Sequence, residues 1–295
     1  MRVFVAVAEA SSFAAAARRL SLSPAQVTRA VAAVETRCSA RLLYRTTRVV
    51  RLSDEGASYL VQCKRILAEI DEIEAAAGSS GRALSGQVSI TAPALFGRLH
   101  VAPVALDFLK RHQAVTLRTL FSDRVLDLCE ENIDVAVRIA HLPDSGLHAV
   151  RVGSVRRVVC ASPAYLKARG TPRHPSELEG HQVIAFSGMG EPQAWRFTVD
   201  GKPQRVHPQP RLIVNGGDLA IQAALAGHGL TKVLSYQIAR EVADKRLRIV
   251  LSEFEGSEVP VHVVYTEGKS ASARVRAFVD HAVERLRAAL TEATQ

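Results

Sequence analysis

Three side chains with strong hydrogen-bonding groups, Gln26, Thr28 and Arg29, lie close together behind a Ser-Pro pair, beside the small Ala25. An arginine guanidinium can donate two parallel hydrogen bonds to guanine, and a glutamine amide can pair with adenine in the same two-point manner. A threonine hydroxyl can reach a base edge or a phosphate, and alanines allow a backbone to approach closely. These residue types predict contacts with base edges in the major groove of a duplex.

A helix has to hold these side chains outward, and the neighbouring residues favour one. Ser23 can cap its N-terminus, and Pro24 suits the first helical position. Arg29 lies nearly opposite a predicted buried stripe, because valines recur at i, i+4 and i+7: Val27, Val31 and Val34. A plain amphipathic surface helix without a nucleic-acid partner remains the alternative.

A second, shorter helix is predicted just before it. Ala14–Leu20 is rich in strong helix formers, Ser12 can cap it, and Ser21-Leu22 forms the turn that follows. Two helices joined by a short polar turn are typical of a helix-turn-helix motif.

Positive charge is concentrated in the same part of the chain. The first 52 residues hold nine arginines against Glu9 and Glu35, so they carry seven of the nine net positive charges. Within them, RTTRVVRLS (residues 45–53) alternates basic with β-branched residues and predicts a β-hairpin wing. Such a concentration indicates a polyanion partner. A solvated basic face is the alternative.

The stretches FVAVAEASSFAAAARRLSLSPAQVTRAVAAVE and RLLYRTTRVVRLSDEG resemble the winged helix-turn-helix of LysR-type transcriptional regulators, and the resemblance continues along the chain. It implies double-stranded DNA with an inverted-repeat operator, an unknown small-molecule effector, and a homodimer or homotetramer; RNA polymerase is a further candidate partner. The implied DNA-binding residues are Pro24, Ala25, Gln26, Thr28 and Arg29 at bases or adjacent phosphates, and Ser12, Arg45, Thr47 and Arg48 at the backbone.

One departure from the family pattern concerns the end of the recognition helix. Cys38-Ser39 stands where the family usually has Leu-Gly. If Ser39 adopts a left-handed cap, it costs about 1 kcal/mol relative to glycine.

A long helix is predicted over residues 54–77. Apolar residues at alternating spacings of four and three form a coiled-coil seam: Tyr59, Cys63, Ile66, Ile70, Ile73 and Ala77, widened by Leu60 and Leu67. The seam predicts pairing with a partner helix, and packing on the chain's own C-terminal domain is the alternative. Residues 78–81, Gly-Ser-Ser-Gly, are interpreted as a hinge.

Strand-like segments dominate the rest of the chain. They are residues 87–93, 115–121, 134–140, 152–162, 182–186 and 260–266. Helical runs between several of them predict two doubly wound α/β lobes with a ligand crevice at the carboxyl ends of the strands. The resemblance gives the same picture, a periplasmic-binding-protein-like fold.

The predicted protein is therefore multi-domain: a winged helix-turn-helix domain (1–53), a linker dimerisation helix with its hinge (54–86) and a two-lobed effector-binding domain (87–295). The first lobe is placed at 87–161 and 267–295, and the second at 162–266. Candidate effector contacts lie at the ends of the predicted first-lobe strands or directly after them, with four more in the second lobe. From the first lobe they are Thr91, Ala92, Pro93, Ala94, Phe96, Ser122, Asp123 and Arg138, and from the second Ser187, Trp195, Asn215 and Thr231. A helix N-terminus together with Arg138 favours an anion, whereas Asp123 opposes one.

Other classes of protein find less support. The nucleotide-binding and hydrolase motifs with defined spacing are absent, and His181 with Ser187 lacks an orienting acid. The four cysteines are far apart and predict neither disulfides nor a zinc site. We therefore expect no catalytic residues, metal or cofactor, and a cytoplasmic location, since no signal peptide is evident. A ligand-binding carrier or two-lobed enzyme with a non-specific basic N-terminal domain is the alternative.

Overall fold

The computed structural model describes residues 1–45, 50–78, 83–143, 146–187, 194–265 and 271–292. The chain divides into two compact units, residues 1–82 and 83–295. Among the described residues, none of the helices combines the length and apolar character needed to span a lipid bilayer.

Within its described residues, the first unit contains four helices and a two-stranded hairpin: α1 Arg2–Ala10, α2 Phe13–Leu20, α3 Pro24–Cys38, β1 Leu43–Arg45, β2 Val50–Leu52 and α4 Asp54–Gly78. The hairpin is antiparallel, with Tyr44 opposite Arg51. The predicted helices and wing strands are confirmed. Gly78 closes α4 instead of opening the hinge, and hinge residues 79–81 lie outside the described part of the chain.

The core of the first unit is small and closely packed. Phe4, Val27, Val31, Leu42 and Leu43 are each at most 1% exposed. Burial of the valine stripe confirms the predicted orientation of α3. These apolar side chains hold α3 against α1 and the hairpin, and so fix which face of α3 is exposed.

Two contacts fix the start of α4. The Gly56 amide donates to the Ser53 hydroxyl at 2.9 Å, and that hydroxyl donates to the Arg41 carbonyl at 2.6 Å. A Cβ atom at Gly56 would overlap the carbonyl oxygen of Leu42. A residue without a side chain is therefore needed where α4 crosses the hairpin.

The predicted seam on α4 needs a correction. The Tyr59 ring lies 5.4 Å from the Phe4 ring, and Cys63 is buried in the core of the first unit. The first two seam positions thus pack inside the first unit, against α1 and its neighbours, and not against a partner helix. Ile66 and Ile70 are half-buried, and the side chains of residues 71–78 lie outside the described set.

The second unit contains twelve strands and six helices within its described residues, besides short turns of other helix types: β3 Ser85–Ala92, α5 Ala94–Phe96, α6 Ala102–Arg111, β4 Ala114–Phe121, β5 Val135–Ile139, β6 His148–Val155, β7 Arg157–Ala161, α7 Pro163–Arg169, β8 Val183–Phe186, β9 Trp195–Val199, β10 Lys202–Val206, β11 Pro210–Val214, α8 Gly217–Leu225, β12 Leu230–Leu234, α9 Ala239–Ala243, β13 Arg248–Val250, β14 Val259–Tyr265 and α10 Ala273–Glu292. A π-helical turn, Gly97–Val101, joins α5 to α6.

Two five-stranded mixed sheets form the two lobes. The first lobe has the strand order β4-β3-β5-β14-β6. Strands β4, β3 and β5 are parallel, and β14 is antiparallel to both of its neighbours, β5 and β6. The second has the order β11-β8-β12-β7-β13. Helices α6 and α10 cover one face of the first sheet, where Phe108 and Phe278 meet edge to face at 5.2 Å.

The chain crosses between the lobes twice, and this changes the predicted lobe boundaries. Residues 152–162 form two strands, β6 in the first lobe and β7 in the second, with the break at Arg156. Strand β14 returns to the first sheet, so the predicted boundaries at 161 and 267 are wrong. An ion pair of 2.9 Å between Arg156 and Glu255 joins the two crossings.

The other strands predicted from sequence are present close to their predicted bounds, whereas β9 to β13 were not predicted. All five residues of β12 are buried, so this strand shows no alternation of apolar and polar residues. Strands β9 and β10 form a separate antiparallel hairpin over the second lobe.

Candidate nucleic-acid interface and ligand crevice

The turn between α2 and α3 is fixed by hydrogen bonds at both helix ends. Ser12 caps α2 by accepting from the Ala15 amide at 3.3 Å. Ser23 accepts from the Gln26 amide at 3.2 Å, and the Gln26 side chain accepts from the Ser23 amide at 2.8 Å. This reciprocal capping box, with Pro24 at the first helical position, sets the angle at which α3 begins.

The exposed face of α3 presents the predicted residues unequally. Pro24, Ala25, Gln26, Thr28 and Arg29 are all exposed. The Gln26 side chain is engaged in the capping box, and the Thr28 hydroxyl donates to the Pro24 carbonyl at 2.9 Å. Within the described part of the chain, the Arg29 guanidinium has no hydrogen-bond or ion-pair partner. Arg29 is therefore the side chain on this face that can bind a ligand without breaking an internal bond.

Glu35 anchors the wing to α3. Its Oε1 accepts from the amides of Leu42 at 2.9 Å and Leu43 at 3.1 Å. Arg51 is exposed on β2. Arg45 ends β1, but its side chain, like Thr47 and Arg48, lies outside the described set.

Part of the positive charge of the first unit is neutralised by ion pairs. Glu9 forms ion pairs with Arg19 at 2.9 Å and with Lys64 at 3.0 Å. Hydrogen bonds from Lys64 and then Arg19 lower the pKa of Glu9. Arg19 therefore serves to join α2 to α1.

The second candidate site is a cavity of about 340 Å³ between the two lobes. Strands of both sheets end at it, as expected for ligand sites in open α/β sheets. It is lined by six of the predicted effector residues: Thr91, Ala92, Pro93, Ser122, Asp123 and Arg138. An exposed ion pair of 3.1 Å between Arg98 and Asp218 links the lobes elsewhere.

Four other predicted residues do not line this cavity. The Ala94 amide donates to Asp123 Oδ1 at 2.9 Å, and Phe96 is buried in the first-lobe core. The Ser187 hydroxyl donates to the Val214 carbonyl at 3.2 Å, and Asn215 is exposed after β11.

Trp195 and Thr231 were wrongly predicted as crevice residues. Trp195 is 5% exposed and packs with Phe197 under the β9–β10 hairpin. Thr231 is fully buried, and its hydroxyl donates to the Ile184 carbonyl at 3.1 Å. Both side chains belong to the interior of the second lobe, because β12 is buried throughout and the inward-facing residues of β9 pack into the core of the lobe.

The predicted anion site at a helix N-terminus is also incorrect. Asp123 already occupies the start of α5 through the Ala94 amide. Arg138 donates to the Leu126 carbonyl at 2.5 Å, and partial burial lowers its pKa. Arg138 thus holds the loop that follows β4, and its guanidinium is not wholly available to a ligand.

Sequence reasoning missed the second-lobe side of the crevice, chiefly Arg157, Tyr236 and Gln237. The Tyr236 hydroxyl is buried near the Gln237 side chain and the Phe96 backbone, but it forms no well-aligned hydrogen bond with a described residue. Burial raises its pKa, with a smaller contribution from Asp123. Among the described residues Arg157 also forms no hydrogen bond or ion pair, and burial and then Arg196 lower its pKa. The signal for Arg157 was the double arginine in residues 152–162, which was assigned to one strand.

The described residues offer no cluster of side chains that could bind a metal ion. No group of three or more histidine, cysteine or carboxylate side chains is clustered there.

Both units of the chain match models of known protein families. The lysR family of bacterial regulatory helix-turn-helix proteins matches residues 1–57, and the LysR substrate binding domain family matches residues 81–287. The chain belongs to the LysR family of transcriptional regulators.

Individual relatives match along almost the whole chain. An HTH-type transcriptional regulator of Xanthomonas campestris pv. campestris is 37% identical over 288 residues, which cover 96% of this chain and 84% of that protein. CrgA of Neisseria meningitidis is 32% identical over 289 residues, covering 97% and 96%. The solved structure of CrgA aligns with a TM-score of 0.63 at 31% identity, covering 96% of this chain and 97% of that one.

Proposed function

We propose that this regulator binds an inverted-repeat operator with α3 in the major groove and Arg29 reading a base pair. The observation that carries the proposal is the exposed, unpartnered guanidinium of Arg29 on a helix held rigid by its capping box and buried valines. A preorganised arginine can donate two hydrogen bonds to guanine.

Phosphate contacts come from the elements on either side. The Ser12 hydroxyl accepts from the Ala15 amide, so its own proton is free to donate to a phosphate oxygen. The wing supplies Arg45, Thr47 and Arg48. These contacts position α3 and are independent of base sequence.

The test compares two arginine variants on operator and random DNA. We expect Arg29→Ala to weaken operator binding by about 1 to 3 kcal/mol and to relax one base position. Arg48→Ala should weaken binding to all sequences alike and reduce the salt slope by about one unit. Fluorescence anisotropy over a range of salt concentrations measures both. Equal losses on both DNAs for both variants would contradict the assignment of α3.

Operator symmetry requires at least a dimer, and a homotetramer is the second arrangement we consider. The half-buried Ile66 and Ile70 on α4 can pair two subunits, which places two recognition helices on successive turns of DNA. In the second unit, Leu106, Ile213 and Leu219 are more than half exposed and provide apolar surface for further association.

The proposed effector is a small organic anion in the crevice. Arg157 offers the charge and the buried Tyr236 hydroxyl offers a hydrogen bond that no described residue satisfies. A buried polar group without a partner costs free energy that a ligand can recover. Binding between two lobes regulates DNA affinity only if the ligand distinguishes two arrangements of the assembly.

A panel of small carboxylic acids can test this by thermal shift of the full chain. For an acid that raises the wild-type melting midpoint, Tyr236→Phe should remove at least half of the shift. Tyr265→Phe is the matched control, because Tyr265 stacks on His148 and does not line the crevice. Equal shifts in both variants would contradict the assignment of Tyr236. An acid that binds but leaves DNA affinity, bending and transcription unchanged would contradict effector control.

A further inference from the structure

The face of the first-lobe sheet opposite α6 and α10 carries an open groove of about 1230 Å³. Strands β5, β14 and β6 form its floor, and residues that follow β4 and β5 form its rim. The groove is separate from the crevice, although Val125, Arg138 and Ala140 border both cavities.

Three basic side chains lie in a row across the floor. In the strand register, His262 of β14 is paired with Arg138 of β5 on one side and with Arg151 of β6 on the other. Cross-strand partners on one face have Cβ atoms about 5 Å apart. Burial and then Arg151 lower the pKa of His262, so its ring is neutral at pH 7 and the positive charge of the row comes from the two arginines on either side of it. An anion placed over the row would meet both guanidinium groups and the imidazole ring.

The described residues do not neutralise this row. Arg138 donates to the Leu126 carbonyl at 2.5 Å and Arg151 to the Gly153 carbonyl at 3.4 Å. Neither guanidinium forms an ion pair with a carboxylate of a described residue. His262 Nδ1 is buried without a well-formed hydrogen bond to a described residue, although the Ala140 backbone lies close to the imidazole.

Two carboxylates also border the groove, and both are engaged locally. Glu258 accepts from the Ser154 hydroxyl. Asp127 Oδ1 accepts from the amides of Cys129 at 2.8 Å and Glu130 at 3.0 Å. Asp127 stabilises the charge of Arg138 from a distance, but among the described residues neither carboxylate forms an ion pair with the row.

Apolar side chains surround the basic row. Val125 is 85% exposed and Leu147 is 38% exposed at the rim, and Pro260 and Val264 flank His262 along β14. Exposed apolar surface beside paired cations fits a ligand with one anionic group and an apolar body.

We propose that this groove is a second small-molecule site, which binds an amphipathic organic anion, a carboxylate or sulfonate on an aromatic or branched apolar body. The anionic group lies over Arg138, His262 and Arg151, and the apolar body contacts Leu147 and Val264. The site goes beyond the proposed crevice effector, and through Arg138 each site can influence the other.

Anilinonaphthalene sulfonate, a fluorescent amphipathic anion, is the probe for the full-length protein. We expect saturable binding of one probe per groove, with methyl NMR shifts at Leu147 and Val264 that exceed those at Leu234 in the crevice. Arg151→Met should weaken probe affinity about tenfold. Arg118→Met, which removes an exposed arginine from β4 of the same sheet, should leave it unchanged.

A second pair of variants separates charge from volume. Ala149 is exposed and lies beside Val264 in the strand register. Ala149→Glu should abolish binding, whereas Ala149→Gln, of similar size, should retain most of it. Unchanged affinity in Arg151→Met, equal loss in both arginine variants, or shifts centred on the crevice would each overturn the proposal. So would equal loss in the two Ala149 variants.

Discussion

Lys232 shows how much the surroundings of one side chain can alter its chemistry. Its Nζ donates to the Arg196 carbonyl at 2.5 Å and lies 4.4 Å from the centre of the Phe197 ring. Burial, with added repulsion from Arg157 and Arg196, lowers its pKa to about 8. Compared with the usual lysine pKa of 10.5, this shift corresponds to about 3 kcal/mol of destabilisation while the ammonium stays charged in the folded protein.

The pH dependence of stability tests this penalty. Below pH 8 the Lys232 amine is protonated in both the folded and the unfolded protein, so the full cost of burying its charge lowers the stability. Between pH 8 and about 10 the unfolded chain binds more protons, so wild-type stability gains relative to a variant without the amine. Lys232→Met should therefore be at least as stable as wild type at pH 7, with an advantage that declines towards pH 10.

Urea unfolding followed by Trp195 fluorescence measures the effect. Trp195 is the one tryptophan of the chain and lies in the core of the second lobe, beside Phe197. A stability difference that stays constant from pH 7 to pH 10 would contradict the assigned cause.

The residues of α3 show what sequence can and cannot predict about single side chains. Helical periodicity was sufficient to predict that Val27 is buried and Arg29 exposed. It could not reveal that Gln26 and Thr28 are engaged within the helix, because side-chain hydrogen bonds depend on rotamers.

The end of α3 carries a conformational cost. Ser39 follows the helix with φ of 49° and ψ of 31°, and its amide donates to the last turn. The left-handed region disfavours a residue with a Cβ atom, so the expected strain at this position is confirmed.

Glycine should relieve that strain. We expect Ser39→Gly to stabilise the first unit by about 0.5 to 1 kcal/mol, measured as slower hydrogen exchange of α3 amides. Thr36→Gly is the control, because the same residue inside the helix should destabilise it by about 1 kcal/mol. If both variants slow hydrogen exchange of the α3 amides, or both speed it up, the strain does not arise from the left-handed conformation of Ser39.

Elements with a clear period were predictable, and those defined by distant contacts were not. The β-branched residues of 134–140 indicated β5, whereas the fully buried β12 was not detected from its sequence. On α4 the seam was visible, but Tyr59 and Cys63 pack on α1, which periodicity alone could not distinguish from a partner helix.

In the whole molecule, the double crossing between lobes explains most errors about the crevice. Because the chain changes lobe at Arg156 and returns before β14, residues far apart in sequence meet at one cavity. The six predicted residues that line the cavity lie at the ends of first-lobe strands or directly after them. Tyr236 and Arg157 were missed because the order of strands in the second lobe could not be deduced from the sequence.

Charge is distributed unevenly between the two units. The first 52 residues carry seven of nine net positive charges, which favours DNA association at low salt whatever its sequence. Specific recognition requires in addition that paired subunits present two α3 helices at a fixed spacing.

Selection from random duplex DNA at roughly physiological salt tests that requirement most directly, since non-specific contacts are weakened there. Sequencing the fraction bound by the full-length protein should recover a short inverted repeat, whose half-sites lose enrichment in Arg29→Ala. Recovery of no motif, with binding that disappears as salt rises, would contradict sequence-specific regulation through α3 and leave the basic unit a general polyanion site.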